Sequence, residues 1–402
     1  MVSFRAFIIS GEIMDIRLAR RTEEISSFYV MELLRRAKQL EAQGRDIIHM
    51  EIGEPDFTTP QTIIDAGLSH IQTGEVKYTP ASGLPQLREK IADFYLQHYA
   101  VTVAKERIFV TPGASGGFLL ALGASLNPEE ELLMADPCYP CNSNFVRLFD
   151  GHARTIPVDA ASHYQLTAAQ IKQHWTPATK GALIASPSNP TGTMIAAEQL
   201  SEVIETVNEL GGCFYSDEIY HGLVYGKKAT TALAFSDNVF VINSFSKYFG
   251  MTGWRVGWLV VPEAFIEATE KLAQNIFIAT ATQSQYAALA AFDPDTLTEL
   301  EQRRVNFEQR RDFLYNALVH LGFEIPIKPD GAFYIYANCS KFTDDSFQFA
   351  LDLLEAEGVA ITPGKDFGDH KANHHLRFAY TTSIAKIAVA MQRLENFINN
   401  KG

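Results

Sequence analysis

Short apolar runs alternate with longer amphipathic stretches along this chain. Val30, Leu33, Leu34, Ala37 and Leu40 recur at helical spacing and stop before Gly44. Leu200, Val203, Ile204, Val207 and Leu210 repeat the pattern and end at Gly211 and Gly212, a helix-stop signal. Phe347, Ala350, Leu351 and Leu354 make a third stripe before Gly358, and Ile387, Met391, Leu394 and Ile398 a fourth near the C-terminus. Six short apolar runs lie at 108–110, 132–135, 182–185, 213–215, 239–242 and 258–261. Runs that short, apolar on both faces, predict a mainly parallel sheet covered by helices. The C-terminal part reads differently. A long helix around 297–321, a strand near 333–337, a helix, short strands and a final helix predict a second, smaller α+β unit.

Composition narrows the class. The 402 residues suffice for two or three domains of ~150 residues and for a core without staples. An apolar fraction of 47% with 20% charged residues excludes a disordered, collagenous or disulfide-scaffold chain. Lys and Arg number 34 against 47 Asp and Glu, a net charge of −13. With no basic stripe, that field disfavours nucleic acid and anionic membrane as partners, while a small anion can still be held by locally placed arginines. The four cysteines are too few for a secreted framework. Cys138 and Cys141 form a lone C-x-x-C without the further ligands zinc requires, so they read as incidental thiols, and no metal is expected. No apolar run reaches the ~18 residues of a membrane span. The N-terminal FRAFIIS lacks a long apolar region and a cleavage site. It reads as an N-terminal extension of a cytoplasmic protein, with Met14 as an alternative start.

In an open α/β sheet, ligands bind beyond the carboxyl ends of the strands. Five successive apolar runs are followed there by TPGASGG (111–117), DPCYP (136–140), SPSNPTG (186–192), SDEIY (216–220) and NSFSKYFGMTGWRVG (243–257). TPGASGG is expected to open a helix at Ser115, whose free N–H groups suit an anion. Neither GxGxxG nor the Walker pattern occurs anywhere, which argues against the usual nucleotide folds. Asp217 follows an apolar strand, where a carboxylate needs a partner. Lys247 lies beside another, and a desolvated lysine becomes a competent nucleophile towards carbonyls. Arg255 sits among glycines and can present a fork to a phosphate.

A lysine for a Schiff base, an aspartate for a pyridinium nitrogen and a phosphate cradle are the parts of a pyridoxal phosphate site. From about Phe28 to the C-terminus the chain resembles the class I/II aminotransferases of the fold-type I pyridoxal phosphate superfamily. The resemblance rests on IGEPDFTTP (52–60), YTPASGLPQLRE (78–89), SPSNPTG, SDEIY, SFSKYFGMTGWRVGW (244–258) and LRFAY (376–380). It implies an α/β fold: a large domain with a mainly parallel seven-stranded sheet between helices, and a smaller α+β domain built from both chain ends. The expected divisions are an arm at 1–27, the small domain at 28–60 and 293–402, and the cofactor domain at 61–292. It also implies cis bonds before Pro137 and Pro190.

By the same resemblance, Lys247 bonds the cofactor and later carries the proton, with Asp217 and Tyr220 as its catalytic companions. Asp217 pairs with the ring nitrogen. Asn189 and Tyr220 bond the ring hydroxyl, and Tyr139 stacks on the ring. Ala114, Ser115, Ser244, Ser246 and Arg255 hold the phosphate, joined by Tyr78 from a neighbouring subunit, which implies a homodimer with shared sites. Arg377 takes the substrate α-carboxylate, helped by Asn189 and the backbone of Gly53. Phe28 and Tyr29 flank the side-chain pocket. The implied reaction moves an amino group from an L-amino acid to a 2-oxo acid, either 2-oxoglutarate or pyruvate. A C–S lyase on the same scaffold is the main alternative, and a non-catalytic ligand-binding protein the remote one.

Overall fold

The computed structural model describes residues 5–9, 12–16, 18–19, 21–25 and 28–401. Seven strands build the central sheet: β1 (Ile108–Thr111), β2 (Glu131–Asp136), β3 (His152–Pro157), β4 (Thr179–Ala185), β5 (Cys213–Asp217), β6 (Val239–Ser244) and β7 (Gly257–Val260). Their spatial order is β1-β7-β6-β5-β4-β2-β3. β7 runs antiparallel to both β1 and β6, and the pairs from β6 across to β3 are parallel. All six apolar runs are strands of this sheet. β3 is the strand the hydrophobic pattern does not show. It is an edge strand paired only with β2, and in it only Ile156 is buried. An edge strand half open to solvent has no need of a continuous apolar run.

Alternation along β6 sends Val239 and Val241 into one apolar cluster and Phe240 and Ile242 into another, so the sheet is buried on both faces. Each such fully buried side chain contributes roughly 1.5–3 kcal/mol relative to exposure. The helices that matter for the site and its frame are α1 (Tyr29–Ala42), α2 (Gly113–Ser125), α3 (Pro140–Leu148), α4 (Ala197–Glu209), α5 (Pro294–Leu321), α6 (Ser346–Glu357) and α7 (Ile384–Lys401). α1 buries Leu33, Ala37 and Leu40, and α4 buries Leu200, Val203, Ile204 and Val207, as their spacing predicts. α6 is rotated from expectation. It buries Phe349, Ala350, Leu353 and Leu354, while Phe347 and Leu351 are only partly covered. Phe347 stays at the rim because its ring packs against Tyr29, with centroids 5.2 Å apart.

A second sheet is antiparallel, ordered β8 (Tyr334–Asn338), β10 (His375–Ala379), β9 (Thr362–Pro363). Beside it Val359–Ala360 pairs in parallel with Ile48–His49. The apolar cluster under these strands draws on both ends of the chain: Leu33, Leu40 and Ile48 pack with Phe349, Leu376 and Leu394. Of the N-terminal extension, Arg5–Ile9 pairs antiparallel with Glu12–Ile16, a hairpin that the FRAFIIS stretch does not suggest. The peptide bonds before Pro137 and Pro190 are cis, and so is the one before Pro187. The four cysteines are free thiols. Among the described residues, no helix is long and apolar enough to cross a membrane, and no cluster of His, Cys, Asp or Glu is arranged to hold a metal ion.

Candidate active site

The carboxyl ends of the central strands meet at one cavity of about 360 Å³. β5 delivers Asp217, and β6 delivers Ser244 and the turn carrying Ser246 and Lys247. The turn after β4 brings Asn189, the turn after β2 brings Tyr139, and β1 leads into α2 with Ala114 and Ser115. The start of α1, residues 51–53 and Arg377 of β10 complete the wall.

One end of the cavity is built for an anion. Helix α2 begins at Gly113, two residues before the expected start, and its N-cap Pro112 supplies no side-chain cap. Its first N–H groups are therefore left for a ligand. Ser244 Oγ donates to Ser246 Oγ at 2.9 Å. Arg255 reaches Ser246 Oγ at 3.5 Å and Thr252 O at 3.1 Å. Two glycines keep this corner open. A Cβ at Gly113, whose φ is +70°, would lie 2.5 Å from Arg255 Nη2, and one at Gly257 would lie 2.8 Å from Asn243 O. The negative net charge of the whole chain does not weaken this corner, since three kinds of donor converge on it at short range.

Asp217 is buried, and its Oδ1 accepts a long 3.3 Å bond from the N–H of Ile219. Burial pushes its carboxyl up to about 7, the backbone bond opposing. A carboxylate so weakly answered suits a protonated nitrogen beside it. Lys247 lies deep in the cavity, where burial lowers its ammonium to about 8. Its Nζ donates to Gly53 O at 2.8 Å and stands 5.7 Å from the centre of the Phe333 ring. Gly53 thus meets the lysine through its carbonyl. A Cβ there would strike Tyr334 Oη at 1.7 Å, so only glycine fits.

Arg377 is buried and held in place from several sides. Its Nη1 donates to Asn189 Oδ1 at 2.9 Å, and its Nη2 donates to Thr362 Oγ1 at 3.1 Å and to Glu51 O. The guanidinium lies 4.2 Å from the Tyr334 ring centre and 4.8 Å from that of Phe367. Its Nε is buried without a partner, a donor still to be satisfied. Tyr220 pairs its hydroxyl with that of Tyr334 at 3.0 Å.

Of the residues expected at the site, Phe28, Gly53, Ala114, Ser115, Tyr139, Asn189, Asp217, Tyr220, Ser244, Ser246, Lys247, Arg255 and Arg377 line this cavity. Tyr29 does not. It is the first residue of α1, one helical step of about 100° from its neighbours, and its ring turns out to Phe347. Tyr78 stands elsewhere on this chain with 82% of its surface exposed. The lining residues that escape the sequence reading include Tyr334, Thr362 and Asp366. The charged Asp366 between Gly364 and Phe367 is the one local signal among them.

The family profile for aminotransferase class I and II matches residues 45–394. The chain is 37% identical to (5-formylfuran-3-yl)methyl phosphate transaminase of Methanocaldococcus jannaschii, over 95% of this chain and 100% of that one. It is 35% identical to valine–pyruvate aminotransferase of Mycobacterium tuberculosis, over 93% and 97% of the two chains. An aminotransferase crystal structure from Mycobacterium tuberculosis superposes with a TM-score of 0.93 at 34% identity, covering 96% of this chain and all of the other.

Proposed function

Because this chain belongs to the class I and II aminotransferases, a pyridoxal phosphate-dependent family of enzymes, we propose that it passes the amino group of an L-amino acid to a 2-oxo acid with Lys247 at the reacting carbon. The observation that carries this reading is the placement of the Lys247 amine. It shares one cavity with the buried Asp217, the Arg255 corner and the partly unsatisfied Arg377.

The residues fit the cofactor. Ala114, Ser115, Ser244, Ser246 and Arg255 would hold its phosphate at the uncapped start of α2. Asp217, a buried carboxylate in want of a cation, would hold the ring nitrogen. Asn189 and Tyr220 would hold the ring hydroxyl, Tyr139 the ring face, and Lys247 the aldehyde carbon. When bound, the cofactor supplies an electron sink for the charge left at the substrate Cα. Arg377 orients the substrate by pairing with its α-carboxylate, an arrangement its free Nε supports. Lys247 Nζ then takes the proton from Cα and later returns it. Its lowered affinity for protons makes the neutral amine available near neutral pH. Asp217 keeps a proton on the ring nitrogen through the cycle. The second half-reaction runs the same steps backwards on a 2-oxo acid, giving ping-pong kinetics.

We read the working unit as a homodimer with shared sites. Leu68, Ile71, Val76 and Tyr78 are exposed on neighbouring segments of a single chain, which supports a partner covering them. Two measurements test the reaction. Lys247→Ala is expected to abolish borohydride-trapped, lysine-linked cofactor together with turnover; a retained lysine linkage would overturn the assignment. Wild-type enzyme is expected to exchange donor and acceptor one for one. Release of ammonia with the carbon skeleton would favour the lyase instead.

A further inference from the structure

The wall of the cavity formed by the start of α1 differs in character from the rest. Phe28, Val30, Met31 and Leu34 present apolar side chains there, and Phe367 continues the surface. The Phe367 ring also lies 4.8 Å from the Arg377 guanidinium. A substrate held by Arg377 therefore has this wall beside its Cα substituent. The cations among the described lining residues are Lys247, Arg255 and Arg377, and each is engaged elsewhere in the cavity.

The backbone of α1 is the other feature of this wall able to attract an anion, through its free N–H groups and positive end. Asp366 already occupies it. Its Oδ1 accepts from Tyr29 N–H at 2.6 Å and its Oδ2 from Val30 N–H at 2.8 Å. Asp366 is buried and itself lines the cavity. A second carboxylate brought to this wall would lose its water, find no free cation among the described lining residues of this chain and face the negative charge of Asp366.

Resting on the aminotransferase reading, we propose that the α1 wall selects substrates with neutral, apolar side chains, and that Asp366 is a specificity-determining residue that excludes dicarboxylates. Both half-reactions of a ping-pong exchange use the same cavity, so the rule extends to the acceptor: a monocarboxylic 2-oxo acid such as pyruvate, not 2-oxoglutarate. The exchange balances as it stands. The donor Cα–N bond is replaced by C=O and the acceptor C=O by C–N, so one carbon is oxidised as the other is reduced.

The test uses the holoenzyme and follows its cofactor absorbance in single turnovers. L-leucine and L-phenylalanine are expected to discharge it about a hundredfold more efficiently than L-aspartate and L-glutamate, and pyruvate to restore it in preference to 2-oxoglutarate by a similar factor. Dicarboxylates that match or exceed the neutral substrates would overturn the specificity alone. A protein that no amino acid discharges would overturn the aminotransferase reading itself. Asp366→Asn and Asp366→Ser each keep an acceptor for the helix N–H groups and remove the charge. Either is expected to raise the glutamate-to-leucine ratio of kcat/KM about tenfold, whereas a ratio that does not move would remove Asp366 from the account. Met31→Lys, on the exposed side of the same wall, is expected to raise that ratio too; no gain there would mean that the substrate side chain points away from α1.

Discussion

Asp217 is buried in the cavity lining and no group of opposite sign is hydrogen-bonded to it, which makes it a charge waiting for a ligand. Replacing it with asparagine removes the charge that would keep a ring nitrogen protonated. Asp217→Asn is therefore expected to retain cofactor absorbance while kcat falls about 10²–10⁴-fold, measured in steady state; near wild-type turnover would count against the role. The same burial has a consequence in the cofactor-free protein. The folded-state value of about 7 lies above the ordinary carboxylate range near 3.9, so the folded state holds a proton that the unfolded chain has released. Stability should then fall as pH rises from about 4 to 7, by on the order of 1–3 kcal/mol for this group. Glu218, pushed up to about 7 by its own burial, acts in the same direction. Urea titrations of the cofactor-free wild type and Asp217→Asn at pH 5 and pH 7.5 check this: the variant should lose less stability between the two. Asp217, Lys247 and Arg255 were legible in the sequence because charge beside an apolar strand or among glycines is conspicuous, whereas Arg377 stood out only through the resemblance carried by LRFAY. Tyr334, Thr362 and Asp366 were not. They reach the cavity from the other sheet and its loops, and a strand tyrosine or a turn threonine looks locally like any other.

The elements of the central sheet were readable wherever burial on both faces forces a continuous apolar run, as in β6 or β7. β3 hid because it needs only Ile156 inside, and α6 showed the right period but the wrong face because Phe347 packs at a rim shared with α1. The start of α2 slipped by two residues for a related reason: Pro112 and Gly113 are set by what they must leave room for. At this junction β7 comes so close to α2 that a Cβ on Gly257 would meet Asn243 O at 2.8 Å and Gly113 C at 2.9 Å, both of them backbone atoms of neighbouring elements. Neither can swing aside as a flexible side chain would. Gly257→Ala is accordingly expected to destabilise the fold by about 2–4 kcal/mol and to weaken cofactor retention, since the displaced backbone is that of the anion corner. Denaturation curves and equilibrium dialysis of the cofactor measure the two effects. A variant as stable as wild type would mean that strand and helix separate more easily than this packing implies.

On the scale of the molecule, the apolar cluster built from Leu33, Leu40 and Ile48 with Phe349, Leu376 and Leu394 ties the two chain ends together, and through them α1 and Arg377 are set opposite the strand ends that carry Asp217 and Lys247. One chain alone supplies every proposed cofactor contact except that of Tyr78, which stands exposed on this chain. If Tyr78 serves the neighbour's phosphate, the active unit is assembled from two chains and can be taken apart genetically. Lys247→Ala leaves a subunit unable to act at its own cofactor but able to lend its tyrosine. Tyr78→Asp keeps its lysine but offers a carboxylate where the neighbour's phosphate should sit, a repulsion that should empty that site. Each homodimer is expected to be nearly inactive. Co-expressed, half of the random dimers are hybrids, and each hybrid contains one wild-type site and one doubly defective site. Activity should then return to about a quarter of wild type, the fraction of sites that random pairing restores. A mixture no more active than its parents would place Tyr78 outside the partner's site.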